Sequence, residues 1–152
     1  MTATTLRKLP PKLKIYEALW ALADQRIEVD NLLGYSGVCH SADTKGKTYT
    51  IIYNPETNTI TSNDNGSMNQ GYIGYPAVAF LLKVGKISYN PEILPLLKGI
   101  QRSKLKYQVH KDHEATLRLL LGNLLQQEVD VDRIVHEVEK IYQELEELKL
   151  HK

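Results

Sequence analysis

Residues 48–63 read TYTIIYNPETNTITSN, and this stretch decides the fold that we expect for the chain. Residues 48–53 are β-branched or aromatic, which favours a strand, and residues 59–63 form a second strand-like run. Between them, Pro55 fixes φ, and the asparagines of residues 54–58 can bond back to the main chain as in a turn. The stretch therefore predicts a β-hairpin with Tyr49, Ile51 and Tyr53 on one face.

The flanking residues extend this hairpin into a larger architecture. A helix with a broad apolar surface is expected from Pro11 onward. Residues 35–40 predict a further strand, and residues 26–31 predict either another strand, which their alternation favours, or the end of that helix. Short helices are predicted at 76–85 and 91–98, and two long helices at about 103–127 and from Val131, joined by a short antiparallel connection. The fold class is therefore α+β: a small antiparallel β-meander packed on helices, with a C-terminal antiparallel helical hairpin. Residues 1–102 form the α+β core and residues 103–152 the hairpin, packed as one unit.

Length and composition place the chain among globular proteins of one domain. Its 152 residues include 42% hydrophobic side chains, enough for a core without cross-links. The single cysteine, Cys39, excludes an internal disulfide framework and fits a reducing compartment. The basic N-terminal residues contain no apolar segment of a secretory signal, and no apolar run approaches the roughly 20 residues that span a bilayer. We therefore expect a cytoplasmic protein with no membrane partner.

The last helix carries an apolar seam whose residues are spaced alternately by three and four. Two interpretations stay open: the seam closes the protein's own core, or it pairs with another chain. The leading hypothesis is a non-enzymatic interaction or regulatory protein that associates through the hairpin, as a homo-oligomer or with a protein partner. The predicted contact residues are Ile134, Val138, Ile141, Leu145 and Leu148.

An alternative function rests on the basic segment at 98–111, KGIQRSKLKYQVHK, which contains no acidic residue. Cations next to Tyr107 suit phosphates and a stacked base, which indicates nucleic-acid binding. On a helix these charges spread around the axis and form no stripe, so a solvated surface is the simpler interpretation. The residues concerned are Lys98, Arg102, Lys104, Lys106 and Lys111.

A third hypothesis, a small enzyme or ligand binder, concerns residues 62–76, SNDNGSMNQGYIGYP. The segment has neither the phosphate-loop motif nor the ligand spacing of a calcium loop, so a turn is the simpler interpretation. Gly71 and Gly74 nevertheless precede a helix start, where backbone N–H groups can bind an anion. The candidate residues of this site are Asp64, Gly71 and Gly74.

Residues 48–82 resemble the SWIM-type zinc finger, a ββα module. Residues 49–51 match its first strand, residues 62–64 stand where that family has Cys-x-Cys, and residues 74–76 stand where it has Cys-x-His before a helix. All four metal ligands are absent, and only Asp64 can contact a metal, so the resemblance implies a metal-free module. SWIM modules are associated with binding nucleic acids and proteins.

Motifs of catalysis are absent from the sequence, which favours a non-enzymatic protein without a cofactor or metal. His110 and His113 share a helical face, but a metal site would need His136 from the next helix as well. Cys39 and His40 are adjacent in a predicted strand, so their side chains point to opposite faces and cannot form a nucleophile–base pair.

Overall fold

The structure, a computed structural model, describes residues 5–30, 35–42, 45–97 and 112–152. Four strands in these ranges form one antiparallel sheet in the order β1-β2-β3-β4, each strand pairing with the next along the chain. They are β1 (Ile27–Val29), β2 (Ser36–His40), β3 (Thr48–Asn54) and β4 (Thr59–Ser62). The predicted β-meander is confirmed.

The described helices occupy the positions that the sequence pattern indicated, with one large difference at a helix start. The helix predicted from about residue 103 begins at His113, because Asp112 has an extended backbone and caps it, and the predicted residues 103–111 lie outside the described ranges. The helices are α1 (Leu13–Ala23), α2 (Tyr75–Lys83), α3 (Leu94–Leu97) after a 3₁₀ turn (Pro91–Ile93), α4 (His113–Gln126) and α5 (Val131–Leu148). The α+β fold class with a C-terminal helical hairpin is therefore confirmed. Among the helices that the structure describes, none combines the length and apolar character needed to cross a bilayer.

The sheet buries one face under α2. Ile51 and Tyr53 point inward and are almost completely covered, whereas Ile52 points outward and remains 55% exposed, as the alternation predicts. Helix α2 comes so close to β2 that a Cβ atom at Gly37 would lie 2.9 Å from Cδ2 of Phe80. A glycine at position 37 is therefore what lets the helix rest on the sheet.

Helix α1 lies at the centre of the molecule, between α2 on the sheet side and the helices α3, α4 and α5. Its sequence is apolar almost all round, which is typical of a helix with no solvent-facing side, and every residue except Lys14 is buried. The buried indole of Trp20 donates from Nε1 to the carbonyl oxygen of Leu97 over 2.5 Å. The fully buried carboxylate of Glu17 forms an ion pair with Lys14 Nζ at 3.3 Å.

The hairpin of α4 and α5 shares one hydrophobic core with the rest of the protein, and both helices pack against α1. Polar bonds also attach α5 to the segment before α3: Glu137 Oε1 accepts from the Asn90 backbone N–H at 2.7 Å, and Glu144 accepts from Ser88 Oγ at 3.1 Å. The predicted boundary between residues 102 and 103 lies outside the described residues.

The two ends of the chain extend the sheet beyond β4. We call residues 5–9 the N-terminal arm and residues 149–152 the C-terminal tail. The tail lies between the arm and β4: His151 exchanges backbone hydrogen bonds with Asn58 and Ile60, and Leu150 accepts from the Arg7 backbone N–H. On its other side, the arm pairs with residues 71–73 through the backbone of Lys8. The local sequence does not indicate this arrangement. All of these hydrogen bonds join backbone groups, which every residue has, so no side-chain pattern marks the residues that pair.

Two smaller details also differ from the sequence prediction. Helix α1 starts at Leu13, two residues after Pro11. Residues 66–70, which we expected to belong to a turn, form one turn of π-helix (Gly66–Gln70), ended by Gly71 at a φ of 76°. A left-handed residue at this position favours glycine and stops the helix.

Candidate functional site

The predicted contact seam of α5 lies inside the protein's own core. Ile134 and Ile141 are 0% exposed and Val138 and Leu145 are 1% exposed, while Leu148 is partly exposed. A second chain cannot reach the four covered side chains while the hairpin stays closed. Association through these five residues stays a prediction, and their burial weighs against it.

Helix α4 has an apolar surface that faces outward. Thr116, Leu120 and Leu124 are turned to the core and are fully buried. On the adjoining side, three leucines are spaced by four residues and so share a helical face. The first two pack partly against the core and are partly exposed, and the last is 62% exposed. We call this set the outward leucine row: Leu117, Leu121 and Leu125.

The predicted nucleic-acid residues Lys98, Arg102, Lys104, Lys106 and Lys111 all lie outside the described residues, as does His110. The structure therefore adds no geometry to the nucleic-acid hypothesis.

In the loop at 62–76, two of the predicted site residues meet. The carboxylate of Asp64 is buried and accepts two hydrogen bonds from Ser67, from the backbone N–H at 3.1 Å and from Oγ at 2.8 Å. Ser67 Oγ in turn accepts from the Gly74 backbone N–H at 3.1 Å. A Cβ atom at Gly74 would lie 1.9 Å from Asp64 Oδ2, so any larger residue there would displace the Asp64 carboxylate. Gly71 stands apart from this contact, at the end of the π-helical turn.

The side chain of Arg7 joins this loop from the N-terminal arm. Its Nε donates to the Ile60 carbonyl oxygen at 2.7 Å, and its Nη1 donates to the Ser67 carbonyl oxygen at 3.3 Å. Burial lowers the pKa of Arg7 below its ordinary value, and the nearby charge of Asp64 opposes this shift. In the described part of the chain, no carboxylate lies within ion-pair distance of the guanidinium.

Beside Arg7 is a hollow of about 210 Å³ that is half open to solvent and is lined by the N-terminal arm, the C-terminal tail, α5 and Ile73. Its floor consists of Ile73, Leu145 and Leu150, all at most 2% exposed. The remaining lining residues form the wall and the mouth: Leu6, Arg7, Leu9, Glu146 and Lys149. The hollow thus combines an apolar floor with two cations and one carboxylate.

No sequence pattern marks Arg7 as part of a site. Arg7 is one of several basic residues near the N-terminus, and the groups that hold its side chain are backbone carbonyls. Since every residue has such a carbonyl, no sequence signal points to this arrangement.

Metal ligands do not converge in the described ranges: no three His, Cys, Asp or Glu side chains there form a group that could hold an ion. In β2, Cys39 is fully buried and His40 is exposed, so the two side chains do point to opposite faces.

The comparison with known proteins gives one family. The family model described as "Uncharacterised conserved protein UCP014422" matches residues 7–151. The match runs from the arm to the tail, so it includes the sheet, the central helix and the hairpin. No curated protein and no solved structure matches the chain.

Proposed function

The chain belongs to the UCP014422 family, and we propose that it is a non-enzymatic interaction protein that associates through the outer surface of its C-terminal helical hairpin. The contact surface is the outward leucine row of α4, in place of the α5 seam. A cytoplasmic setting is part of the proposal, because the sequence contains a single thiol and that thiol is buried.

The observation that carries this proposal is the difference in exposure between the two helices of the hairpin. Four of the five seam residues of α5 are buried in the core, whereas in α4 Leu125 is 62% exposed next to the partly exposed Leu117 and Leu121. Fully covering an exposed leucine side chain contributes about 1.5–3 kcal/mol, so a partner that covers Leu125 and the exposed parts of Leu117 and Leu121 gains free energy of association. Gly122 adds room beside it, since a Cβ atom at that position meets nothing within 4 Å.

A second copy of the chain is the partner to test first, because two identical apolar rows can cover each other in a symmetric dimer. A helix of another protein is the other occupant of the same surface. Both occupants place an apolar side on the row, so the same substitutions affect both.

Sedimentation velocity of the wild type and of Leu121→Glu and Leu125→Glu tests the proposal. We expect the wild type to self-associate, and each variant to associate at least about tenfold more weakly, because a charge replaces a covered leucine. Gln126→Glu is the matched control, since it adds the same charge at an exposed neighbouring position outside the row. Self-association that survives both leucine variants would exclude the row as the contact. A wild type that stays monomeric over the whole accessible concentration range would exclude self-association.

The resemblance of residues 48–82 to a SWIM-type zinc finger also remains a proposal. It is supported by the order β3, β4, α2 and by the contact between Asp64 and Gly74, two positions that correspond to metal ligands in that family. In this chain, hydrogen bonds between Asp64, Ser67 and Gly74 join the segments that the metal would join there.

A further inference from the structure

The hollow beside Arg7 differs from a gap in apolar packing because the charged residue Arg7 lines it next to the apolar floor. Leu6 is the bridge partner of His151, so Arg7 and Leu150 are opposite each other in this antiparallel pair, and the Arg7 N–H donates to the Leu150 oxygen at 2.9 Å. Opposite residues in an antiparallel pair have their side chains on the same face. The Arg7 side chain therefore lies on the face that carries Leu150, which forms part of the floor.

Hydrogen bonds hold the guanidinium of Arg7 in place, and no carboxylate in the described part of the chain forms an ion pair with it, although the charge of Asp64 lies nearby. The two hydrogen bonds of the guanidinium end on the carbonyl oxygens of Ile60 and Ser67, which are neutral acceptors. The nearest carboxylate in the loop, that of Asp64, accepts from Ser67. A guanidinium has five N–H donors in a fixed plane, so the two bonds orient it and leave others for a ligand.

We propose that this hollow binds a small organic anion with an apolar body, whose charged group contacts Arg7 and whose apolar part lies on the floor. The volume suits such a ligand, because an apolar cavity of about 150 Å³ already holds a benzene ring. The hollow, at about 210 Å³, has room for a ring of this size and one carboxylate. The preorganised guanidinium supplies the orientation that an apolar hollow alone lacks.

The mouth of the hollow offers a second, independent feature for a test. Glu146 and Lys149 are both exposed there and carry opposite charges. The carboxylate of Glu146 repels an anionic ligand, whereas it would attract a cationic one. Neutralising Glu146 therefore distinguishes an anion site from a cation site, at a position where the side chain has no buried role.

The first experiment uses the wild-type chain with two probes of equal ring size, benzoate and the neutral benzyl alcohol. Methyl resonances are followed by NMR during each titration. We expect saturable shifts at Ile73, Leu145 and Leu150, and an affinity for benzoate about tenfold higher than for benzyl alcohol, because a hydrogen bond to a charged group adds to the apolar contact.

The second experiment compares three variants with benzoate as the probe. We expect Arg7→Gln to lower the affinity to that of benzyl alcohol, and Glu146→Gln to raise it severalfold. Lys8→Gln is the matched control: it removes the same charge from the exposed neighbour of Arg7 and should leave the affinity within about twofold of wild type. Should Arg7→Gln fail to fold, the wild-type comparison and Glu146→Gln still decide the proposal.

Three results would overturn the proposal. They are the absence of saturable shifts with benzoate, equal affinities for benzoate and benzyl alcohol, and a decrease in affinity in Glu146→Gln. A loss in Lys8→Gln as large as that in Arg7→Gln would also overturn it, because general surface charge would then explain the binding.

Discussion

The side chain of Asn58 donates from Nδ2 to the carbonyl oxygen of Leu148 at 2.7 Å, although 90 residues separate the two along the chain. The same amide donates to the Lys149 carbonyl oxygen at 3.0 Å. Asn58 thereby binds the last carbonyls of α5, which have no partner within the helix. It does so at a φ of 53°, a left-handed conformation that asparagine tolerates better than most residues. The hairpin turn of the sheet is thus also the C-terminal cap of the last helix.

Substitutions at Asn58 separate the contribution of its side-chain hydrogen bonds from that of its left-handed backbone conformation. We expect Asn58→Gly to lose the hydrogen bonds but keep the backbone conformation, at a cost of about 1–2 kcal/mol. Asn58→Ala loses the bonds and adds left-handed strain, for a total of about 2–3 kcal/mol. Urea unfolding of both variants measures the difference. Equal losses would show that the backbone conformation contributes nothing.

The turn that contains Asn58 also shows what local sequence can and cannot predict. Asn54 Oδ1 accepts from the Glu56 backbone N–H at 3.0 Å, which is the return to the main chain expected of a turn asparagine. Asn58 has the same side chain four residues later, yet its partners belong to the end of the last helix. Bonds within a few residues follow from the local pattern, whereas a partner that is distant along the chain depends on the whole fold.

The apolar seam of α5 shows the same limit of local sequence for side-chain packing: the pattern predicts that a face is covered but not which surface covers it. The alternating spacing of residues 134–148 predicted one covered face, and the structure covers four of the five seam residues. The spacing contains no information about which surface does the covering. Here it is the protein's own core around the central helix α1, and the sequence of α5 is equally compatible with a second chain.

Two glycines should respond in opposite directions to the same added methyl group. Gly74 has an ordinary φ of −70°, so Gly74→Ala is opposed only by the clash at 1.9 Å with Asp64 Oδ2, and we expect a loss of about 1–3 kcal/mol. Gly122 lies inside α4 with open space around it, so Gly122→Ala should stabilise the fold by about 0.5–1 kcal/mol. Thermal unfolding of both variants checks the signs. A neutral Gly74→Ala would mean that the Asp64 carboxylate moves away without cost.

The raised pKa of the buried Tyr16 hydroxyl predicts that the free energy of unfolding falls at high pH. Burial, and to a smaller extent the charge of Glu139, raises the pKa of Tyr16 to about 12. The unfolded chain loses this proton near pH 10, so between about pH 10 and 12 unfolding releases a proton and the free energy of unfolding falls as the pH rises. Below that window the contribution is constant.

The total loss from this group should be roughly 2–3 kcal/mol. Urea unfolding at several pH values between about 9 and 12 measures it, with Tyr16→Phe as the reference. Lysines and the other tyrosines titrate in both proteins, so their effect cancels in the comparison. Parallel pH profiles for the two proteins would contradict the assignment to Tyr16.

Two glutamates of α5, two residues apart, should differ sharply in their contribution to stability. Glu137 is 9% exposed and accepts from the Asn90 backbone N–H, so Glu137→Ala removes the acceptor of a partly buried donor. We expect a loss of about 1.5–3 kcal/mol, the usual contribution of a hydrogen bond to a charged group. Glu139 forms an ion pair with Lys12 at 2.6 Å, with both side chains about half exposed, so Glu139→Ala should cost only about 0–1 kcal/mol.

Urea unfolding at low and at high salt distinguishes the two cases. The effect of Glu139→Ala should shrink at high salt because exposed charges are screened, while the effect of Glu137→Ala should persist. Glu137→Gln keeps an acceptor oxygen and should recover part of the loss. Equal losses for the two alanine variants would show that the bond between Glu137 and Asn90 does not attach α5 to the rest of the core.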